Sequence, residues 1–291
     1  MKERECDLYK KEERKKGDKS VRCLACSHKC LIANNQVGIC GVRKNTGGKL
    51  FLLVYGKVIS EHVDPIEKKP LYHFLPGSAA YSIGTVGCNF RCGFCQNFDI
   101  SQLKDVVGQE VKPEEIVERA IKTKCKSIAY TYNEPTIFAE FVKDIAKIAK
   151  KRGLKNILVT NGYESKECMR YLKGYVDAMN IDLKSFSDDF YKRSCGATLK
   201  PVLETIKLAH KMKIHIEITT LLIPNENDSS AEIEKIVKFI ASVDKNIPWH
   251  ISRFFPMYKM TQKRPTDIES LRMAEKIGKK AGLKYVHVGN V

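Results

Sequence analysis

From about residue 79 onward, short apolar, β-rich runs alternate with longer segments in which apolar residues recur at helical spacing. The runs are residues 80–86 (AYSIGTV), 127–132 (SIAYTY), 156–161 (NILVTN), 178–183 (AMNIDL), 214–223 (IHIEITTLLI) and 249–255 (WHISRFF). Between them, Thr136 to Arg152 places Phe138, Phe141, Val142, Ile145, Ile148 and Ala149 on one face, as an amphipathic helix requires. Thr266 followed by Glu269 reads as a capping box opening the last helix, and Gly282 is placed to close it. Strand alternating with helix predicts a parallel sheet in an α/β fold. About six such units fit a partial (β/α)6 TIM-like barrel, with an open doubly wound sheet as the alternative.

The first 75 residues lack this rhythm and form a separate N-terminal segment, leaving residues 76–291 as the core domain. Residues 1–19 alternate charges of both signs and read as an exposed helix or a frayed terminus. Residues 20–44 carry four cysteines, Gly47 and Gly48 mark a turn, and Leu50 to Ile59 reads as a strand or hairpin. Residues 62–78, HVDPIEKKPLYHFLPGS, hold three prolines and a glycine and read as an ordered connection. In either α/β architecture, functional groups gather at the C-terminal ends of the strands. Polar or unusual residues stand there repeatedly: Cys88 after the first run, Asn133 and Glu134 after the second, Asn161 after the third, Asp182 and Lys184 at the fourth.

Composition narrows the setting. No apolar run is long enough to span a bilayer, and the first residues lack a signal-peptide core, so a cytoplasmic protein with no membrane partner is expected. The formal charge of +17 fits either lysine-rich solvated helices or an acidic partner; a nucleic-acid partner is the less favoured of the acidic options. Eleven cysteines in a reducing compartment point to metal binding or catalysis in place of disulfides. Seven of them cluster, as Cys23, Cys26, Cys30 and Cys40 and as Cys88, Cys92 and Cys95, while Cys6, Cys125, Cys168 and Cys195 stand alone and read as incidental buried thiols.

The string GCNFRCGFCQN puts Cys88, Cys92 and Cys95 on one short loop. Three thiolates can hold three corners of a cubic iron-sulfur cluster, which ordinarily takes four, and so leave one iron open. A structural zinc site fits poorly, since those sites use paired CxxC knuckles. This CxxxCxxC spacing, with Phe94 before the last cysteine, resembles the signature of the radical S-adenosylmethionine (SAM) superfamily. Asn133, Glu134 and Pro135 resemble the element of that superfamily that holds the methionyl amino group, with Asn-Glu for the commoner Gly-Gly-Glu. Asp182 and Lys184 in IDLKSF are similar to the Asp-x-Lys of glycyl-radical-enzyme activases, where the lysine meets the SAM carboxylate and the aspartate helps form a cation site. CLACSHKC with GICGVR, DPIEKKPLYHFLPGS, GTVGCNFRCGFCQN, YTYNEPTIF, PWHISRFFP and VHVGNV together resemble the radical SAM member of the AmmeMemoRadiSam system, similar to pyruvate formate-lyase activating enzyme. Members of that family continue beyond the final GN with a Cys-containing tail, whereas this sequence ends at Val291.

The resemblance implies a 4Fe-4S cluster on Cys88, Cys92 and Cys95, which would be both metal ligands and catalytic residues. SAM would be held by Phe94, Asn133, Glu134, Asn161, Asp182, Lys184 and Arg253. Ordinary alternatives stand beside several of these: a surface lysine for Lys184, a strand-end role for Asp182, plain Asn-Gly turn chemistry for Asn161. His250 and Arg253 must face opposite sides of a regular strand, and Arg253, nearer the mouth, is the expected cavity residue, with His250 in the core. Tyr130 and Tyr132 serve either as cavity lining or as barrel filling. Cys23, Cys26, Cys30 and Cys40, with His28 nearby, form a candidate second site for zinc or an auxiliary iron-sulfur cluster, against four free buried thiols. Asp64, Glu67, Lys68 and Lys69 recur in the family pattern without a role that residue chemistry supplies.

The expected activity is reductive cleavage of SAM to a 5′-deoxyadenosyl radical that abstracts hydrogen from an unidentified substrate. A flavodoxin or ferredoxin would supply the electron, and a protein encoded nearby is a candidate substrate. Activation of a glycyl-radical enzyme is the alternative activity, and a metal-stabilised basic nucleic-acid-binding module the alternative of another class.

Overall fold

A computed structural model describes residues 4–12, 17–103 and 105–291. Its centre is one sheet of eight strands: β1 Ser60–Pro65, β2 Ala79–Gly84, β3 Ser127–Tyr130, β4 Lys155–Thr160, β5 Ala178–Asp182, β6 His215–Leu222, β7 Trp249–Arg253 and β8 Val286–Gly289. The strands lie side by side in chain order; β2 to β8 are parallel, and β1 runs antiparallel to β2 at the edge. All six sequence-predicted strands are present, and the fold is the expected α/β partial barrel. Val286–Gly289 adds a seventh parallel strand, too short to show a period of its own.

The helices α1 Pro113–Lys122, α2 Ala139–Lys151, α3 Lys166–Tyr171, α4 Leu199–Lys211, α5 Ser230–Val243 and α6 Ile268–Lys280 alternate with the strands. Helix α2 shows why. Pro135 and Thr136 begin a 3-10 turn whose first free N–H, that of Thr136, is accepted by the Glu134 side chain at 2.9 Å. Phe141, Val142, Ile145 and Ala149 then fall on one face and are fully buried, where each larger side chain contributes roughly 1.5–3 kcal/mol. The helix stops at Arg152, and Gly153 follows in the left-handed region at φ +77°. The last helix starts differently from the capping-box expectation. Asp267 precedes it without a side-chain cap, because the Thr266 hydroxyl is taken up by the Leu222 carbonyl at 2.6 Å.

Residues 4–12 also depart from expectation. Arg4–Glu5 pairs with Lys49–Leu52, and Tyr9–Lys11 pairs with Val21–Cys23, in two small antiparallel sheets. Cys6 and Leu8, two positions apart, are both buried, which is a strand's period and not a helix's. The rest of the expected terminal helix lies outside the described residues. The N-terminal segment is fastened to the core by a buried ion pair, Arg43 with Glu140 of α2. Arg43 Nη1 donates to Glu140 Oε1 at 3.1 Å and Arg43 Nε to the Ile137 carbonyl at 2.8 Å, while Asp7 and Leu8 N–H groups also reach Glu140.

The connecting segment passes under the barrel floor. Glu217, inside β6, accepts the N–H groups of Tyr72 at 3.0 Å and His73 at 2.8 Å, and the side chains of His215 at 3.0 Å and His250 at 2.6 Å. Burial alone would raise its pKa, but these four donors hold it at about 2. No helix among the described residues is long and apolar enough to cross a membrane.

Candidate functional site

At the strand C-termini a cavity of about 540 Å³ opens, walled by the loop after β2 and by residues from β4, β5, β6 and β7. Cys88, Cys92 and Cys95 all line it, so the three cysteines grouped by the sequence face one space. Their loop is pinned at several points. Asn133 Nδ2 donates to the Gly87 carbonyl and Thr85 Oγ1, both at 2.9 Å, and Asn133 Oδ1 accepts the Thr85 N–H at 3.3 Å. Arg91 and Gly93 N–H groups donate to the Cys195 and Ser194 carbonyls at 2.8 and 3.0 Å, and Asn97 Nδ2 donates to the Tyr132 carbonyl at 2.8 Å. Gly87 sits at φ +85°, where a Cβ would come within 2.6 Å of the Cys40 carbonyl oxygen. Glycine is required both by conformation and by the N-terminal segment pressed against it.

The thiols differ in their surroundings. Burial pushes the Cys88 thiol well above its usual range and raises Cys95, which contacts Ser101 Oγ at 3.1 Å. Cys92 is held down, chiefly by a hydrogen bond from Cys195, with the Lys184 charge adding to it against the effect of burial. Cys195, which the sequence left as an incidental thiol, therefore belongs beside the loop. Nothing in its flanking residues announces this, since a short π-turn over Tyr191–Cys195 carries it there.

Lys184 and Asp182 line the same cavity close to the thiols. Lys184 Nζ lies 2.6 Å from Asp182 Oδ2 and 5.7 Å from the centroid of Phe94, itself on the wall. Burial would lower the lysine pKa; Asp182 and the neighbouring thiols outweigh burial and hold it well above its usual value, so it stays charged. Asn161 also lines the cavity, with Nδ2 donating to Asn89 Oδ1 at 2.7 Å.

Glu134 is not on the cavity wall. It is fully buried behind the wall, accepting Thr136 N–H at 2.9 Å and Asn161 N–H at 2.8 Å, and so fixes the backbone that presents Asn161. The Thr160 hydroxyl lies 2.9 Å from Glu134 Oε1 and 2.7 Å from Glu164 Oε1. One hydroxyl proton serves only one of these carboxylates. Burial, together with the Glu134 charge, raises Glu164 to about 8. Arg253 also departs from expectation. Ser252 is the β7 residue on the wall, while Arg253 Nε donates to the Thr266 carbonyl at 2.8 Å and its guanidinium lies 5.1 Å from the Phe255 ring. The strand's parity puts His250 and Ser252 inside. His250 is the satisfied core residue expected.

Sequence reasoning gave the connecting segment no role, yet Asp64, Lys68 and Lys69 line the cavity. Lys69 Nζ and the Tyr132 hydroxyl donate to Asp64 Oδ2 at 2.7 and 2.9 Å, and these bonds outweigh partial burial to hold Asp64 at about 2. Asn180 and Asn290 also reach the wall. Tyr132 lines the cavity, whereas Tyr130 is buried on the helix side of the sheet, donating to Asn156 Oδ1 at 3.0 Å, and Asn156 Nδ2 reaches the Ala146 carbonyl of α2 at 3.4 Å.

Three thiols on one loop, facing one cavity, are the donor set of a cluster with one iron left open. Among the described residues, no three His, Cys, Asp or Glu side chains are drawn up as they would be round a single metal ion. The open space before the three thiols, with a fixed cation on the same wall, leaves room for an anionic ligand.

Comparison with known proteins agrees with this geometry. The sequence profile of the Radical SAM superfamily matches residues 82–240. An uncharacterized protein of Methanocaldococcus jannaschii is 47% identical over 291 residues, covering 99% of this chain and 85% of the relative. A second protein of that organism, named a putative glycyl-radical enzyme activating enzyme, is 31% identical over 208 residues, covering 69% of this chain and 76% of the relative. Among solved structures, a radical SAM methyltransferase from Sphaerobacter thermophilus shares the fold with a TM-score of 0.58 at 15% identity, covering 74% of this chain and 67% of that one. A domain of pyruvate-formate lyase-activating enzyme from Bacteroides vulgatus gives 0.51 at 19% identity, covering 56% of this chain and 99% of that domain. With the matched region holding the three-cysteine loop and the Asp182-Lys184 pair, the chain is an enzyme of the radical SAM superfamily, similar to the pyruvate formate-lyase activating enzymes.

Proposed function

We propose that Cys88, Cys92 and Cys95 hold a 4Fe-4S cluster and that the cavity in front of them binds SAM, for reductive cleavage to a 5′-deoxyadenosyl radical that abstracts hydrogen from a substrate. The supporting observation is the convergence of three thiols and the Asp182-Lys184 pair on one cavity of about 540 Å³. When bound, the cluster supplies the low-potential electron and an open iron. The protein's own work is positioning. Lys184 presents a positive charge to a carboxylate, and Asp182 keeps that charge in place. Asn133 and Asn97 hold the loop so that its sulfurs face inward, and Glu134 steadies Asn161 on the adjoining wall. Phe94 and Phe90 make part of the wall apolar, which keeps water away from reactive species. A flavodoxin or ferredoxin is the fitting electron donor.

The reading most consistent with the resemblance is that of the AmmeMemoRadiSam system, with an unidentified substrate for which a protein encoded nearby is the candidate. Activation of a glycyl-radical enzyme is a second reading, favoured by the name of the 31% identical relative. The four N-terminal cysteines take no direct part, since Cys23, Cys26, Cys30 and Cys40 line a separate pocket.

The test is anaerobic reconstitution, iron and sulfide analysis, and SAM turnover with dithionite. Four iron and four sulfide at the three-cysteine loop, with 5′-deoxyadenosine and methionine formed, are expected. Full iron and sulfide without SAM cleavage under several reductants would overturn the reading. Incubation with products of neighbouring genes, read by mass spectrometry, then separates the two substrate readings.

A further inference from the structure

Cys23, Cys26, Cys30 and Cys40 come from three places in the N-terminal segment: the end of a strand, the tight turn after it, and the loop ending at Gly41. The Cys23 N–H donates to the Cys30 carbonyl at 2.9 Å, and the Lys29 N–H returns to the Cys26 carbonyl at 3.1 Å, with Lys29 in the left-handed region at φ 44°. Cys40 is followed by Gly41 at φ +79°, a reversal that turns the chain back towards the other three. All four line one small pocket, whose walls also include Ile32, Ile137, Arg43, His28 and Asn89. Cys23, Cys26 and Cys40 are 5%, 7% and 8% exposed.

Two observations point to a ligand there. The cavity is about 10 Å³, so the four thiols enclose a space about the size of one atom. And Asn89, 1% exposed, has its Nδ2 buried without a partner, while Oδ1 accepts from Asn161 and its carbonyl contacts His28 Nε2 at 2.9 Å. A buried amide donor beside thiols is satisfied when one of them becomes a metal-bound thiolate, which accepts N–H hydrogen bonds. The thiols are not drawn up at ligand distance round one point. A rotation about the side-chain bond of each cysteine is therefore part of binding, as expected where metal affinity and local folding are coupled.

We propose that Cys23, Cys26, Cys30 and Cys40 form a closed tetrathiolate site for one soft divalent ion of the zinc class, and that this ion fixes Asn89 and with it the base of the catalytic loop. Closed four-thiolate coordination leaves no open position, so the role is structural. Arg43 in the wall offsets part of the negative charge such a site carries. Because Asn89 directly follows Cys88 and bonds Asn161, order imposed at the N-terminal site is carried into the cavity by a contiguous chain of bonded residues.

The test uses the full chain carrying Cys88→Ala, Cys92→Ala and Cys95→Ala together, so its outcome is independent of any SAM chemistry. Expressed with zinc and purified anaerobically, this variant is expected to hold one zinc per chain and no acid-labile sulfide. Replacement of zinc by cobalt should give the intense thiolate charge-transfer absorption of tetrahedral sulfur coordination. Adding Cys30→Ser should lower zinc retention under chelator challenge at least tenfold; circular dichroism of that variant separates ligand loss from failure to fold, and the cobalt spectrum of the parent variant stands regardless. Iron with sulfide at this site, or a folded parent variant that binds neither zinc nor cobalt, would overturn the proposal.

Discussion

The two cysteine groups look alike in the sequence, but one faces a cavity of about 540 Å³ and the other a pocket of about 10 Å³. The difference lies in what stands near the sulfurs. In front of Cys88, Cys92 and Cys95 are a charged lysine, a carboxylate and asparagine side chains, groups that recognise a polar ligand. Around Cys23, Cys26, Cys30 and Cys40 are isoleucines, His28, Arg43 already paired with Glu140, and one orphaned amide, closed on a space about the size of one atom. Sulfur count alone does not assign a role; free volume and the polarity of the wall do.

The strongest way to break this contrast is to remove one ligand from each group. Cys95→Ala is expected to abolish SAM cleavage with little change in melting, whereas Cys30→Ala should destabilise the N-terminal segment by several kcal/mol, part of the ~10–16 kcal/mol typical of structural zinc, while some SAM cleavage survives. If both variants lose activity and stability together, the division of labour fails.

A smaller effect tests the carboxylates between the two regions. Glu164 is raised to about 8 from an ordinary 4.5, so between these values the folded state holds a proton that the unfolded state has released. Stability should fall as pH rises from about 5 to about 8, by up to ~1.4 kcal/mol per pH unit. Glu164→Gln should flatten that slope in denaturant titrations at pH 5.5, 7 and 8.5. An unchanged slope would mean that this proton sits elsewhere.

Lys184→Ala sharpens the account of the open cavity. The loss of a charged hydrogen bond should weaken SAM binding by ~1.5–3 kcal/mol, measured by calorimetry on the reconstituted protein, with the fold retained. Arg253→Ala should alter SAM affinity by less than ~0.5 kcal/mol, as for a side chain that leaves the site untouched. A large effect there would restore Arg253 to the cavity.

What the sequence made legible follows from period and spacing. The six runs from AYSIGTV to WHISRFF are long enough to show their pattern, and chemistry at their C-terminal ends was readable because α/β topology brings those ends together. Where the outcome turned on facing, sequence reasoning was weaker. It established that His250 and Arg253 oppose each other, but not which one points inward, because proximity to the mouth was weighed above the strand's register with its neighbours. Cys195 and the Asp64-Lys69 pair reach the site through a π-turn and an antiparallel edge strand, features with no periodic signature. Glu134 was expected on the cavity, but the strand-end position that the sequence shows carries it into the layer behind the wall.

The Arg43-Glu140 ion pair has a consequence for synthesis. Its partners are 97 residues apart, so at roughly 5–20 residues per second the arginine leaves the ribosome several seconds before its carboxylate exists. Until then the four N-terminal thiols have no wall to close against, since Ile137 and Asn89 have also yet to appear. The segment made first is thus completed late, and its exposed thiols face a waiting period in which premature oxidation or capture of the wrong metal competes with folding.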